Sequence, residues 1–96
     1  MSLVLAFKLG YKLRKVYDNC INRKTVYEIL NDMKEITGLV SALELNEVKG
    51  LIEEWIKYLE KYYTDLSSTL SIEDRNALIK DIHDCVSKVE KLLENR

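Results

Sequence analysis

The chain has 96 residues, enough for one domain with a single modest hydrophobic core. Its 47% apolar and 32% charged residues exclude an intrinsically disordered chain, and the absence of proline removes the strongest helix breaker. The net charge of −1 is unevenly placed, because residues 1–24 carry +5 and residues 25–96 carry −6. We therefore expect one all-α domain over residues 1–96, whose basic N-terminal part contacts its own acidic remainder, an acidic partner, a lipid surface or nucleic acid.

The first predicted helix runs from about Leu3 to about Cys20. One face carries a regular apolar row, which predicts its core side: Leu5, Leu9, Leu13, Val16, Tyr17 and Cys20. Lysines at positions 8, 12 and 15 form a basic stripe on another side. The first turn, residues 3–7, is apolar all round, and a bundle this small cannot bury every side of a terminal turn. The sequence thus predicts a protein interface at Leu3, Val4 and Phe7.

The second predicted helix has its apolar row rotated by about 150° from that of the first helix. This row consists of Val26, Ile29, Leu30, Met33 and Ile36. A break at residues 22–25 accounts for the rotation, and Thr25 with Glu28 forms a capping-box pattern there. Because no glycine or proline enforces the break, one long helix over residues 3–37 is the alternative. The second helix is expected to end at Gly38, in the C′ position.

The third predicted helix covers residues 42–66, and the sequence makes it the centre of the bundle. Its heptad-like seam consists of Leu45, Val48, Ile52, Trp55, Leu59, Tyr62 and Leu66. Ser41 is the expected N-cap, with Glu44 at N3. Gly50 lies opposite the seam, where glycine costs about 1 kcal/mol relative to alanine. Either this cost is incidental or another backbone approaches closely, so Gly50 is a further candidate interface residue.

The fourth predicted helix follows a short polar turn, residues 67–71, and Ser71 with Asp74 caps it. Its seam consists of Leu78, Ile82, Cys85, Val89 and Leu92. Short connections favour antiparallel neighbours. The expected fold is therefore an all-α, small antiparallel bundle of about four helices, with completion of the core by a second copy left open.

Catalytic and metal-binding patterns are missing from the sequence. It has no glycine-rich phosphate loop, no nucleophile and base at a helical spacing, and no E-x-x-H motif. His83 is the single histidine, and on a helix it points about 100° away from Ile82 and Asp84, whereas Asp81, Asp84 and Cys85 group together. We expect no enzyme activity, no catalytic residues, no metal site and no cofactor. Cys20 and Cys85 are expected to be buried free thiols in a reducing cytoplasm, although a bridge between them stays open.

These patterns predict a non-enzymatic protein–protein interaction module of the cytoplasm. We expect a small accessory subunit or a self-assembling helical protein, whose partner is another protein or a second copy. The alternative is a nucleic-acid-associated protein with six phosphate-contacting residues: Lys8, Lys12, Arg14, Lys15, Arg23 and Lys24. Attachment to a membrane surface is the weakest of the three interpretations, and the apolar run at residues 3–7 is far shorter than the ~20 residues of a membrane span.

Overall fold

The computed structural model describes residues 3–94, which form four α-helices: α1 (Leu3–Ile21), α2 (Val26–Ala42), α3 (Asn46–Tyr62) and α4 (Ile72–Glu94). Contacts between side chains show that neighbouring helices run antiparallel. Lys12 and Lys15 of α1 pair with Glu35 and Asp32 of α2, so residue numbers rise along one helix as they fall along the other. Glu47 and Tyr58 of α3 contact Lys88 and Asp74 of α4 in the same reversed order. Arg14 of α1 pairs with Glu90 of α4. The helix α4 thus returns beside α1 and closes the bundle. The predicted small antiparallel bundle is confirmed.

The core is built from one buried row on each helix. The rows follow the three-and-four spacing of the sequence, and the most deeply buried large side chains include Leu9, Leu13, Ile29, Met33, Ile36, Ile52, Leu59, Leu78 and Ile82. Cys20 and Cys85 lie in these rows as buried free thiols. Burial of these rows removes apolar surface from water and supplies the main driving force for folding.

The helix α1, and not α3, has the closest packing in the bundle. The backbone of α1 approaches α2 and α4 along most of its length, whereas α3 and α4 come close at the fewest positions. Side chains that end in polar groups span the gap between α3 and α4, which approach each other less closely than the other neighbouring helices. Trp55 Nε1 donates a hydrogen bond to Asp81 at 2.8 Å, and Lys88 Nζ lies 2.8 Å from Glu47. The prediction that the third helix is the centre of the fold is therefore wrong.

The break between α1 and α2 is confirmed, and it excludes one long helix over residues 3–37. Thr25 caps α2 through the predicted capping box with Glu28. Arg23 has a φ of 54°, and the N–H of Lys24 donates to the carbonyl of Asn19 at 2.9 Å. This is a Schellman-type ending with arginine in the left-handed position usually taken by glycine. A side chain in this conformation costs more than glycine would.

The α2–α3 turn lies later in the chain than predicted. The helix α2 continues past Gly38 to Ala42, and Ser41 belongs to its last turn. Glu44 has a φ of 58°, while the N–H of Leu45 donates to the carbonyl of Val40 at 3.1 Å. Glu44 is thus the left-handed residue after α2, and not the N3 residue of α3. Leu45 takes the N-cap position without a side-chain cap.

The helix α3 ends at Tyr62, before the predicted limit at Leu66. Tyr62 and Leu66 are exposed, so the last two seam positions are not part of the core. The connection to α4 crosses the start of α2, where carbonyls of Leu66 and Ser68 accept hydrogen bonds from the N–H groups of Tyr27 and Val26. These bonds satisfy backbone donors that a helix N-terminus otherwise leaves unpaired. The predicted cap of α4 is confirmed, since the Asp74 N–H donates to Ser71 Oγ at 3.2 Å.

Candidate protein-interaction surface

The solvent side of α1 carries a second regular row of side chains, opposite its core row. We call it the outer stripe: Val4, Phe7, Tyr11, Arg14, Asp18 and Ile21. Its spacing of three, four, three, four and three residues is that of a heptad seam. The apolar members are largely exposed, with 75% for Val4, 61% for Phe7, 67% for Tyr11 and 52% for Ile21. This is the spacing of a helix face that packs on another helix, and its apolar members stay exposed although Arg14 contacts Glu90 of α4.

Two of the predicted interface residues, Val4 and Phe7, belong to the outer stripe, and Leu3 lies beside it with 42% of its surface exposed. The sequence prediction missed Tyr11 and Ile21. Their signal was present in the chain, because the spacing that starts at Val4 continues to Ile21 on the side opposite the core. It was hidden because charged Arg14 and Asp18 interrupt the apolar residues.

An open groove of about 420 Å³ runs between the outer stripe and α4. Its walls are Phe7, Gly10, Tyr11 and Arg14 from α1 and Val86, Val89, Glu90 and Leu93 from α4. A Cβ built on Gly10 would lie 3.9 Å from Val89 Cγ1, an ordinary van der Waals distance, so α1 and α4 pack closely at the groove floor. The groove continues past Arg14 toward Asp18 and His83. An apolar floor with charged edges suits a protein side chain or helix.

Gly50 lies apart from this surface, on the exposed side of α3. A Cβ at Gly50 would have no atom within 4 Å in the described part of the chain. The helix α3 packs on α2 and α4 and not on α1. The structure therefore does not bring Gly50 together with Leu3, Val4 and Phe7, and its role in an interface stays a prediction.

Three of the six candidate phosphate-binding residues are paired with carboxylates inside the fold. Lys12 Nζ lies 2.5 Å from Glu35, and the hydrogen bond between them raises the pKa of Lys12 and lowers the pKa of Glu35. Lys15 pairs with Asp32 at 3.5 Å, in addition to the Arg14 pair with Glu90 at 3.4 Å. The basic helix thus lies against the acidic remainder of its own fold.

The other three candidate phosphate-binding residues, Lys8, Arg23 and Lys24, are exposed and form no ion pair within residues 3–94. Lys8 and Arg23 are separated by about 22 Å along the α1 direction at 1.5 Å per residue. The six cations therefore do not form one continuous unpaired surface. Their contact with phosphates stays a prediction.

Asp32 is a buried carboxylate that the sequence analysis did not identify. It lies between the apolar residues of α2 and accepts a hydrogen bond from Asn19 Nδ2 of α1 at 2.7 Å, besides its pair with Lys15. Buried polar groups of this kind are tolerated when they are paired. Asp32 therefore links α2 to α1 through two side-chain contacts.

Three aromatic residues in α3 or directly after it form hydrogen bonds with carboxylates of α4. Besides the Trp55–Asp81 bond, the hydroxyls of Tyr58 and Tyr63 both donate to Asp74, at 2.9 Å and 2.6 Å. The hydrogen bond to Asp74 raises the pKa of Tyr58. These rings close the α3–α4 gap, and their hydroxyls face carboxylates, an unsuitable setting for nucleic-acid phosphates.

The thiols and the histidine do not assemble into a reactive centre. Burial raises the pKa of Cys20 to about 12 and that of Cys85 to about 11, so both stay protonated near neutral pH. His83 is exposed on α4. Among residues 3–94, no three His, Cys, Asp or Glu side chains are grouped so that they could hold a metal ion.

Comparison with known protein families, with curated proteins and with solved structures gives no match to this chain. Across the described helices, none is long and apolar enough to cross a membrane. The functional conclusion therefore depends on the surface itself.

Proposed function

We propose that this protein is a non-enzymatic interaction module that binds another protein chain through the outer stripe and the adjoining α1–α4 groove. The observation that carries this proposal is the exposure of Phe7 and Tyr11 on a heptad-spaced helix face. Large exposed apolar patches on soluble proteins commonly mark interaction sites. Aromatic residues are also the side chains most often found at the energetic centre of interfaces.

The size of the exposed rings supports a protein partner. With about 200 Å² per aromatic side chain, Phe7 and Tyr11 together leave about 250 Å² in water. At about 25 cal/mol per Å², covering this area yields about 6 kcal/mol before the costs of association. The two rings alone thus offset a large part of the costs of association. Covering the rest of the groove contributes further favourable free energy.

We also propose that the protein works in the cytoplasm, either as an accessory subunit or by self-assembly. Two free buried thiols are compatible with a reducing compartment. Arg14 and Glu90 form a polar edge of the groove. Contacts with these charged groups would orient a bound partner.

The test is the apparent mass of the chain in a native extract of the cells that make it. A protein that binds a partner through the outer stripe migrates above its own 11.2 kDa. The double variant Phe7→Glu with Tyr11→Glu should migrate as a free chain. Tyr27→Glu is the matched control, because Tyr27 is 57% exposed but lies on α2. A free chain in the unmodified protein, or equal effects of the variant and the control, would contradict the proposed function.

A further inference from the structure

Three cations from two distant parts of the chain meet at the end of the bundle where α1 ends and α4 begins. Arg23 and Lys24 belong to the α1–α2 turn, whereas Arg75 lies in the first part of α4. All three line one small cavity, together with Thr69. None of the three forms an ion pair within residues 3–94. The fold thus gathers unpaired positive charge at this place.

The charge of Arg75 lies at the inner side of this cluster. Arg75 is half-buried, and it acts on Cys20 in the cavity wall, because burial raises the pKa of this thiol while the charge of Arg75 lowers it in part. A guanidinium has five N–H donors and no acceptor. Side chains of this type are usually paired where they lose contact with water. None of the Arg75 donors has an acceptor in the described part of the chain.

The ends of the neighbouring helices do not neutralise the cluster. The end of α1 carries a partial charge of about −0.5, which favours cations in the turn that follows it. The start of α2 lies directly after this turn and carries about +0.5, and the start of α4 beside Arg75 adds a similar positive charge. The helix dipoles therefore leave three full positive charges without compensation.

The carboxylates of the surrounding turns are engaged elsewhere or lie on other faces. Glu28 accepts a backbone N–H in the capping box of α2, and Asp74 accepts the hydroxyls of two tyrosines. Glu73 lies about 160° around α4 from Arg75, at 100° per residue. Asp18 lies in the wall of the groove between α1 and α4. An anion from outside the chain would therefore be the counter-charge of the cluster.

A phosphate group has the chemistry that this cluster requires. A phosphate monoester carries about −1.5 to −2 charges near neutral pH, with three strong acceptor oxygens. Arginine binds phosphate oxygens through two parallel N–H donors, and lysine adds a compact charge. The cavity has a volume of about 10 Å³, room for about one water molecule, so a bulky ligand cannot enter it. The bound group lies at its mouth, where Arg23, Lys24 and Thr69 are exposed.

We propose that Arg23, Lys24 and Arg75 form a binding site for the phosphate group of a small molecule, either inorganic phosphate or a phosphate monoester. Arg75 binds the group from the inner side, and the other two cations bind it from the α1–α2 turn. The site goes beyond the proposed function, because none of its residues belongs to the outer stripe. Since the bound anion links this turn to α4 only in the folded chain, binding should stabilise the fold.

The first experiment is a calorimetric titration of the full chain with inorganic phosphate, at an ionic strength held constant with chloride. We expect saturable binding, at best in about the micromolar range for a ligand of five non-hydrogen atoms. Arg75→Gln should raise the dissociation constant at least about 10-fold, because charge-assisted hydrogen bonds are lost. Lys80→Gln is the matched control, since it removes an exposed, unpaired charge from another side of α4. It should leave the dissociation constant unchanged.

A second variant, Arg23→Asn, tests the cations of the turn. Arg23 has a φ of 54°, a conformation that asparagine accepts more readily than most residues, so this change removes the charge without breaking the turn. It should also raise the dissociation constant at least about 10-fold. Circular dichroism and thermal unfolding without phosphate check that each variant is folded. Phosphate should then raise the melting temperature of the unmodified chain more than that of either variant.

A parallel titration with glycerol 3-phosphate distinguishes the two sources of the phosphate group. An ester that binds at least as tightly as inorganic phosphate indicates a phosphate monoester as the ligand, whereas weaker binding of the ester indicates free phosphate. Three results would overturn the site: no saturable binding of either compound, equal losses in Arg75→Gln and Lys80→Gln, or an unchanged dissociation constant in Arg75→Gln. A nucleic-acid duplex that binds through Arg75 while neither small compound binds would also overturn it, and would favour the nucleic-acid alternative.

Discussion

Replacement of Leu59 by alanine should destabilise the bundle strongly. Leu59 lies on α3 with no exposed surface, and it belongs to the continuous core cluster. Truncation of a buried leucine removes its transfer free energy and leaves a cavity, at a cost of about 2–5 kcal/mol. For a chain of this size the whole free energy of unfolding is about 5–15 kcal/mol, so one substitution removes a large share of it. The melting temperature should fall by about 10–25 °C.

Urea unfolding followed by circular dichroism measures this loss, and Leu66→Ala is the matched control. Leu66 was placed in the same seam by its spacing, but it lies beyond the end of α3 and is 38% exposed. Its truncation should cost below about 1 kcal/mol, because little cavity remains. Equal losses for Leu59 and Leu66 would refute the conclusion that the seam ends with α3. A loss below about 1 kcal/mol for Leu59→Ala would refute the assignment of Leu59 to the core.

Three further predictions concern Gly50 and the two thiols. Gly50→Ala should raise the free energy of unfolding by about 0.5–1 kcal/mol, because a Cβ at this position meets open space. The mass of any assembly should stay the same. Loss of a complex in this variant would instead place a partner on α3. Cys20 and Cys85 should resist a thiol reagent at neutral pH until the protein unfolds, and rapid labelling of the native chain would contradict their burial. Their folded pKa values, about 12 and about 11, exceed the ordinary thiol value of 9.0, so the stability that they contribute is complete below pH 9 and is lost as pH rises toward 12. Replacement of both thiols by alanine should reduce this alkaline loss.

The fate of the basic N-terminal helix illustrates how tertiary pairing changes the meaning of a charge pattern. In the sequence, Lys8, Lys12 and Lys15 form one stripe that could bind phosphates. In the fold, Glu35 and Asp32 of α2 pair with Lys12 and Lys15, whereas Lys8 has no such partner among the described residues. The carboxylates come from a segment about twenty residues away, so helical spacing within α1 could not identify them.

The core rows and the helix starts with side-chain caps could be predicted from the sequence, because both depend on local spacing. Apolar residues at three-and-four intervals identify one side of each helix, so Leu9, Ile52 and Ile82 were expected in the core and are buried there. The capping box at Thr25 and the Ser71 cap act over three residues, and both were predicted correctly.

Only the tertiary structure decided where α2 and α3 end and which apolar residues of α1 stay exposed. Glu44 has the sequence of a capping residue, but the Leu45 N–H bonds to the Val40 carbonyl, and this places Glu44 in the left-handed position after α2. The end of α3 is coupled to the start of α2, because the Leu66 carbonyl accepts the Tyr27 N–H from a distant helix. The Leu45–Val40 bond is local and competes with the capping pattern at Ser41, whereas the Leu66–Tyr27 bond joins residues far apart in the chain. Helical periodicity carries no signal of either bond, and for this reason the sequence alone could not determine where these helices end.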